Sequence, residues 1–580
     1  MNDPNSALNP IWQARVQTPP AAPLTIPGLI WQTLYARGPR TADDVQSCLK
    51  PTLQTLRSPF LLRNMAKAVE RLVQAFQNQE PLCIYADFDL DGTSGLALLK
   101  TGLEQLGFQN VMGYQPRRLA EGYGVHVLAV REIFEGGTKL LVTVDVGTTA
   151  HEALAEAKRL GMDVIVTDHH LPHGELPEAF ALINPNQGNC ESGLGHLAGV
   201  GVAFYLLLAV RSRLREMNLG QSQFDPKELL DFFVIGTLTD MVPLKDENRP
   251  LVRHGLQMLA KTKRAGLRAL LDHLDLSGRP LTSQDVAIKF SPKLNALSRL
   301  ESEIRPIDMF LVQDAEQADR MAVEVLACNQ RRVEIQRLAE AKARAQVQLQ
   351  QARSCFFTWS EEFHRGVVGL VATKLAQEFD RPAFVGAVDE KGRIVGSARL
   401  PGQKGELSLV DALESASDEL LRFGGHAQAA GFETDLERAE ALGQALHRYF
   451  QDQPKTVKPQ LYDAEGDLSD INQELMRWQE ELEPFGSAFE VPLYRLRGAR
   501  VHTIKELKGG HLRLELESLK TSEKKNAIWF SPPSGAVGQL QQDGNRSYEL
   551  LAEPQWNYFQ GRKTLQLLLK ALRPDSLANS

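Results

Sequence analysis

Cysteine is scarce in this chain. Five residues, Cys48, Cys83, Cys190, Cys328 and Cys355, are scattered over 580 positions without a C-x-x-C pair. That excludes a disulfide framework and a thiolate zinc site, and it points to a reducing cytoplasm. Long apolar runs are absent too: no stretch of about 18 uncharged apolar residues could span a bilayer. The opening MNDPNSALNPIWQARVQTPP lacks the basic start and apolar block of a secretory signal. Excess positive charge is also missing. The net charge is −7, so any nucleic acid must be held by local basic patches and not by the field of the whole chain. Glycine and proline disappear between 307 and 365. An Ala/Leu/Gln/Glu/Arg-rich stretch within it predicts one helix over 316–352, roughly 50 Å long at 1.5 Å per residue. Internal repeats and low-complexity tracts are absent.

What the chain does have is alternation. LCIYAD (82–87), VMGY (111–114), LLVTVD (140–145) and VIVTD (164–168) read as short buried strands. Helical patterns at 93–107 and 149–161 lie between them. Strands separated by helices imply a parallel sheet covered on both faces. A second mixed α/β region covers about 355–450. From about 489 the chain turns to closely spaced strand patterns, which suggests a small barrel or sandwich.

In open α/β sheets, ligands sit at the carboxyl ends of the strands. Here those ends are acidic. DFDLDG supplies Asp87, Asp89 and Asp91, VTVD supplies Asp145, VTDHH supplies Asp168, His169 and His170, and GTLTD adds Asp240. One such Asp could serve only as a helix cap. Several converging carboxylates repel one another unless cations neutralise them. An Asp-rich site with an imidazole suits Mn²⁺ or Mg²⁺. Two such ions suit phosphoester hydrolysis. In an extended DFDLDG, Asp87, Asp89 and Asp91 would share a side, with Phe88 and Leu90 towards the core. A calcium loop would need Glu at its twelfth position, and that position is Leu98.

DFDLDG, VTVDVG, VTDHH and GTLTDMVPL, in this order, resemble the four motifs of the DHH phosphoesterase superfamily. RFGGHAQAAGF (422–432) resembles the GGH motif of its associated domain. PRRLAEGYGV, LAGVGVAF, PKLNALSRL and LEPFGSAFEVPLY extend the likeness over roughly 30–570, closest to the bacterial members that degrade single-stranded DNA from its 5′ end. The resemblance implies an α/β fold: a DHH domain with a parallel sheet at 61–305, a connecting helix at 306–353, a smaller DHH-associated domain at 354–452 and an OB-like barrel at 453–580. A segment at 1–60 is expected to pack on the DHH domain.

It also implies site residues. Two Mn²⁺ or Mg²⁺ ions would be held by Asp89, Asp91, Asp145, His169 and Asp240, with Asp87 close by. Asp168 would orient His169, and His170 would face the scissile phosphate. Arg118, Arg299, Ser397 and Arg399 would read a 5′-phosphate, and Gly424, Gly425 and His426 would line the DNA path. Departures from the usual family pattern, at Leu90, Thr239 and Leu297–Ser298, touch no proposed ligand. Without the resemblance, Arg299 and Arg399 read as ordinary surface arginines, and His426 as a turn residue. The cations Arg320, Arg331, Arg332, Arg337, Lys342 and Arg344 read as a solvated helix face. Nine Lys or Arg against four Glu over 493–525 fit a barrel tracking a single strand. Trp529, Trp556, Tyr558 and Phe559 could stack on bases or fill the barrel core.

The implied activity is a metal-dependent 5′→3′ exonuclease that converts single-stranded DNA to mononucleotides in repair and recombination. It would act as a cytoplasmic monomer beside a single-strand-binding protein and a helicase. The rivals are a short-oligonucleotide or cyclic-dinucleotide phosphodiesterase, which lacks the third domain, and a replication scaffold with a dead site.

Overall fold

The computed structural model describes residues 11–575 apart from 173, 222, 403–406, 454–458, 534, 543–545 and 560–561, and gives no side chain for 559. The chain forms two compact units. One comprises 57–242 and 254–455; the other comprises the N-terminal segment to 56, 243–253 and the chain from 456 onward.

The first unit is built on a five-stranded parallel sheet. Its strands are β1 (Leu82–Ala86), β2 (Val111–Tyr114), β3 (Leu140–Val144), β4 (Asp163–Thr167) and β5 (Ala181–Ile183), in the order β2-β1-β3-β4-β5. Every residue of β1 and β3 is buried. Each large apolar side chain taken from water there contributes about 1.5–3 kcal/mol, and the helices that cover both faces make that burial possible. Helix α1 (Leu90–Leu106) leaves β1 directly, and α2 (Gly199–Glu216) and α3 (Leu230–Asp240) pack against it. Helix α4 (Ser291–Arg299) leads towards the long α5 (Ala315–Gln348). Asp314 starts α5 by accepting the backbone N–H of Gln317 at 2.7 Å. The predicted continuous helix is present and ends four residues early.

A second, mixed sheet follows in the same unit. Its strands are β6 (Phe356–Ser360), β7 (Ala383–Val388), β8 (Arg393–Arg399), β9 (Arg422–Gly425) and β10 (Ala429–Asp435), in the order β9-β10-β8-β7-β6, with α6 (Val368–Phe379) against β7 and β8. The exposed edge strand β9 carries the two glycines of the GGH motif.

The other unit is a closed five-stranded barrel. Strands β11 (Tyr494–Leu507), β12 (His511–Ser518), β13 (Lys524–Trp529), β15 (Arg562–Pro574) and β14 (Ser547–Phe559) pair in that order, and β14 returns to β11. Two expectations are corrected here. The N-terminal segment up to 56, expected on the DHH domain, belongs to this unit, whereas 57–60 stay with the DHH domain: Leu29, Ile30, Trp31 and Leu34 share one core with Leu512, Leu514 and Leu516 of the barrel. Trp12–Ala14 pairs with Gln460–Tyr462, and the Arg573 guanidinium lies 3.9 Å above the Trp12 ring. Residues 243–253, expected within the catalytic domain, also belong to this unit. Buried Arg249 is the reason. Its guanidinium lies 3.9 Å from the Phe489 ring centroid and donates to the carbonyls of Leu482 (2.6 Å), Pro484 (3.2 Å) and Cys48 (3.3 Å).

Trp529 lies in the barrel core, whereas Tyr558 is partly exposed; Phe559 falls outside the described side chains. Five of the nine basic residues over 493–525 (Arg495, Arg497, Arg500, Lys524 and Lys525) pair with glutamates of the barrel unit. The remaining basic surface is Lys505, Lys508, Arg513 and Lys520.

Arg249→Met keeps the hydrophobic stem but strands buried carbonyl groups. It is expected to destabilise the barrel unit by about 2–4 kcal/mol, read as a lower urea midpoint by tryptophan fluorescence. An unchanged midpoint would contradict the anchoring role.

Candidate metal centre

Three strand ends and one helix end meet at the carboxyl edge of the parallel sheet. Asp87 follows β1, and Asp89 caps α1, its Oδ1 accepting the N–H groups of Asp91 (2.8 Å) and Gly92 (3.2 Å). The chain is therefore already turning into a helix at Leu90. Asp87, Asp89 and Asp91 converge through that turn and not through the strand alternation expected from the sequence. Leu90 points into the core as expected, whereas Phe88 lies under the Arg118 guanidinium at 4.2 Å. Both oxygens of Asp91 accept the first N–H groups of α2, from Gly199 (2.6 Å) and Val200 (2.9 Å). The positive end of a helix thus steadies a buried carboxylate.

Asp145 closes β3 with φ +61°, a left-handed conformation that Asp tolerates better than most residues. It is packed so tightly against α2 that a Cβ on Gly199 would lie 2.5 Å from its own Cβ. Only glycine fits there. His169 follows β4 and directs Nε2 at Asp145 Oδ1 (3.2 Å), Asp240 Oδ2 (3.6 Å) and Asp91 Oδ2 (3.7 Å). Three groups of ligand atoms each lie within 4.8 Å of one another: Asp145, His169 and His170; Asp91, His169 and Asp240; and Asp87, Asp89 and Asp145.

The neighbouring pair works differently from the expectation. Asp168 does not hold the His169 ring. Its Oδ1 meets Nδ1 of His170 at 2.7 Å and accepts the backbone N–H of His169 at 2.7 Å, while Oδ2 accepts from Thr148 N at 2.9 Å. The carboxylate expected to orient His169 is therefore the partner of His170. Asn184 and Asn186 fix the pair from below by donating to the carbonyls of His170 (2.8 Å) and His169 (2.6 Å). Both asparagines, in INPN after β5, escaped the sequence reading, as did Tyr123, whose hydroxyl lies 3.3 Å from His170 Nδ1. Their legible signal was an Asn pair directly after a strand, and an aromatic residue inside the quoted EGYGV.

The electrostatics have one dominant cause. Burial, then the charge of Asp89, raises Asp87 to about 8 and Asp91 to about 7. Burial, then Asp91 and Asp89, raises Asp240 to about 9 and Asp145 well above the carboxylate range. Burial and the neighbouring His170 press His169 down to about 4, leaving a neutral imidazole. Burial opposes charge on His170 as well, yet the Asp168 hydrogen bond wins and raises it to about 9. Asp168 is lowered despite burial because the same bond favours its charged form. Asp87 Oδ1, Asp145 Oδ1 and His169 Nε2 are buried and make no hydrogen bond. Unsatisfied carboxylate oxygens beside a neutral ring nitrogen are the donor set of a hard divalent cation, so these residues fit Mn²⁺ or Mg²⁺.

The proposed phosphate readers cluster in the same unit. Arg299 donates to Gly366 O at 3.1 Å. A Cβ on Gly369, in the first turn of α6, would lie 3.2 Å from Arg399 Nη2 and 3.4 Å from Ser397 Oγ. The two β8 side chains therefore lean over a helix N-terminus. Burial, then Arg118, Arg332 and Arg399, lowers Arg299 to about 9, against the weaker pull of Asp89: four cations crowd together. Gly424 and Gly425 lie on the exposed β9, and the His426 ring stands 6.1 Å from that of His170 at an interplanar angle of 11°.

The chain matches the models of the DHH family N-terminal domain over 81–237, the DHHA1 domain over 350–452 and the RecJ OB domain over 462–571. It is 32% identical to the single-stranded-DNA-specific exonuclease RecJ of Salmonella typhimurium, over 95% of this chain and 97% of that protein. It is 31% identical to the Escherichia coli protein of the same name, with the same coverage. The structure superimposes on Thermus thermophilus RecJ in complex with Mn²⁺ with a TM-score of 0.81 at 28% identity, covering 98% of this chain and 80% of that one. The complex of that protein with Mg²⁺ gives 0.73 at 26% identity, covering 97% and 78%.

The raised carboxylates carry a sign. A group whose folded pKa exceeds its ordinary value of about 3.9 stabilises the fold only while protonated. The contributions of Asp91, Asp87 and Asp240 are therefore full below about pH 4 and vanish as pH rises through about 7, 8 and 9. In EDTA the melting temperature is expected to fall across that interval, and Mn²⁺ is expected to cancel the slope. A flat profile in EDTA would contradict the reading.

Proposed function

The chain belongs to the RecJ family of single-stranded-DNA-specific exonucleases, and from that premise we propose how its own residues carry out the reaction. It hydrolyses single-stranded DNA from the 5′ end, one nucleotide at a time, using Mn²⁺ or Mg²⁺. The observation that carries this reading is the buried, unsatisfied set Asp87, Asp145 and His169 beside the arginine cluster. Asp89, Asp91, Asp145, His169 and Asp240 would hold two ions, with Asp87 adjoining. Bound there, the ions supply an acidified water and neutralise charge on the phosphate.

The chain's residues do the placing. Arg118, Arg299, Ser397 and Arg399 grip the terminal 5′-phosphate with guanidinium forks and the α6 N-terminus. That grip sets the next phosphodiester over the carboxylates. His170, held protonated by Asp168, faces that phosphate and balances its charge. Gly424 and Gly425 let the backbone approach the strand closely, with His426 beside His170. Water adds to phosphorus in line, and the P–O3′ bond breaks. The terminal residue leaves as a nucleoside monophosphate, and the shortened strand keeps a new 5′-phosphate, which the same arginines can grip. The exposed Lys505, Lys508, Arg513 and Lys520 of the barrel supply sites for the strand backbone. We also propose that a single-strand-binding protein and a helicase present the strand, and that the enzyme is a cytoplasmic monomer active in repair and recombination. The family supports the partners, and five free thiols support a reducing compartment.

A 5′-labelled single strand is expected to release labelled mononucleotide with Mn²⁺ or Mg²⁺, with no release in EDTA or from Asp145→Ala. Label freed from duplex but not from single strand would overturn the reading. Arg399→Gln is expected to cut kcat/KM about tenfold or more on 5′-phosphorylated strands and far less on 5′-hydroxyl strands, the size of one lost charge-assisted bond; equal losses on both would contradict the phosphate role. Asp168→Asn should bring the NMR titration of metal-free His170 down from about 9 towards the ordinary histidine range, and a titration left near 9 would contradict the pairing.

A further inference from the structure

Two cations are left over from this account. Arg332 lies on α5 one turn beyond Cys328, whose Sγ meets Ala296 O of α4 at 3.5 Å. That contact sets Arg332 alongside α4, which carries Lys293 in its first turn and Arg299 at its end. The Arg332 guanidinium is fixed by two neutral acceptors, Asn329 Oδ1 at 2.6 Å and Gln336 Oε1 at 2.7 Å. Other α5 cations are matched with acids: Arg337 with Glu334, Lys342 with Glu362, and Arg344 with Glu340 and Glu378. Arg332 and Lys293 make no ion pair among the described residues. The solvated-face reading therefore holds for those three α5 cations and fails for Arg332.

The cations act on one another. Arg299 is repelled by Arg118, Arg332 and Arg399 and attracted by Asp89. Lys293 is repelled by Arg332 alone, and no carboxylate acts on either Lys293 or Arg332. Arg332 thus lies beside the helix that carries both Lys293 and Arg299, and it acts on both. A terminal monophosphate carries at most two charges. Part-buried cations without counter-charges are costly, and Arg332 and Lys293 are two of these, next to the group of arginines assigned to the first phosphate.

We propose that Arg332 and Lys293 form a second anion subsite continuing the 5′-phosphate pocket, and that it takes the outer phosphates of a strand whose 5′ end carries a di- or triphosphate. The proposal rests on the assignment of Arg118, Arg299, Ser397 and Arg399 to the first phosphate. Hydrolysis then breaks the same P–O3′ bond. Water gives its hydroxyl to phosphorus and a proton to the leaving 3′ oxygen, and the terminal residue departs as a nucleoside di- or triphosphate. No other reactant is needed.

The test compares kcat/KM on one single strand bearing either a 5′-monophosphate or a 5′-triphosphate. Wild type, Arg332→Gln, Arg332→Lys and Lys293→Gln are measured with Mn²⁺, and the first product is identified by chromatography. Wild type is expected to cut both ends and to release nucleoside triphosphate from the second. Arg332→Gln and Lys293→Gln should each lower the triphosphate-to-monophosphate ratio about tenfold, the size of one lost charge-assisted hydrogen bond, and Arg332→Lys should restore part of it. An unchanged ratio would overturn the subsite. So would a wild type that rejects the triphosphate end or trims it to monophosphate before cutting. Failure of wild type on the monophosphorylated strand would overturn the exonuclease reading, and the subsite with it.

Discussion

Five carboxylates at one dehydrated sheet edge repel one another, and the rest of the site is arranged around that repulsion. Asp91 is held by the first two N–H groups of α2. Asp89 is held by the start of α1. Asp145 sits in a left-handed backbone conformation against a glycine. These devices fix the acids in place without discharging them. The pKa values of Asp87, Asp91, Asp145 and Asp240 rise because hydrogen bonds and basic neighbours offset burial only in part. Such a cluster is poised for divalent cations, and the stability it withholds from the metal-free protein becomes binding energy when the ions arrive.

The histidine pair shows how adjacent residues can divide opposite roles. His169 is kept neutral, with Nε2 towards the acids. His170 is kept charged by Asp168. One imidazole thereby suits a cation and the other a phosphate, in the same unit as a crowd of arginines whose own repulsion calls for an anion. The two unsatisfied charge clusters, acidic and basic, lie in one unit, and a strand of phosphates between divalent cations and guanidinium groups satisfies both.

Much of this was legible in the sequence because parallel strands buried on both faces read as uninterrupted apolar runs. An acid at the end of such a run has few places to go. The long helix was legible because neither glycine nor proline interrupts it. The N-terminal segment was not, since the apolar stripe of a helix such as Gly28–Ala36 announces burial but not the partner. Residues 243–253 were misplaced for a similar reason: the carbonyls that Arg249 satisfies lie more than 200 residues away in the chain. The Asp168–His170 pairing depends on side-chain rotamers of neighbours in a turn, which spacing alone does not reveal. Arg332 looked like one more solvated helix cation until its lack of an acidic partner separated it from Arg337, Lys342 and Arg344.

The acids and His169 call for two divalent ions held together at one carboxylate-rich edge. Paramagnetic resonance of the protein titrated with Mn²⁺ tests this most directly. Two ions per chain are expected, with the spin coupling of a pair roughly 3.5–4 Å apart, and both the coupling and tight binding should be lost in Asp145→Asn. A single uncoupled ion, or a coupled pair that survives Asp145→Asn unchanged, would contradict the account.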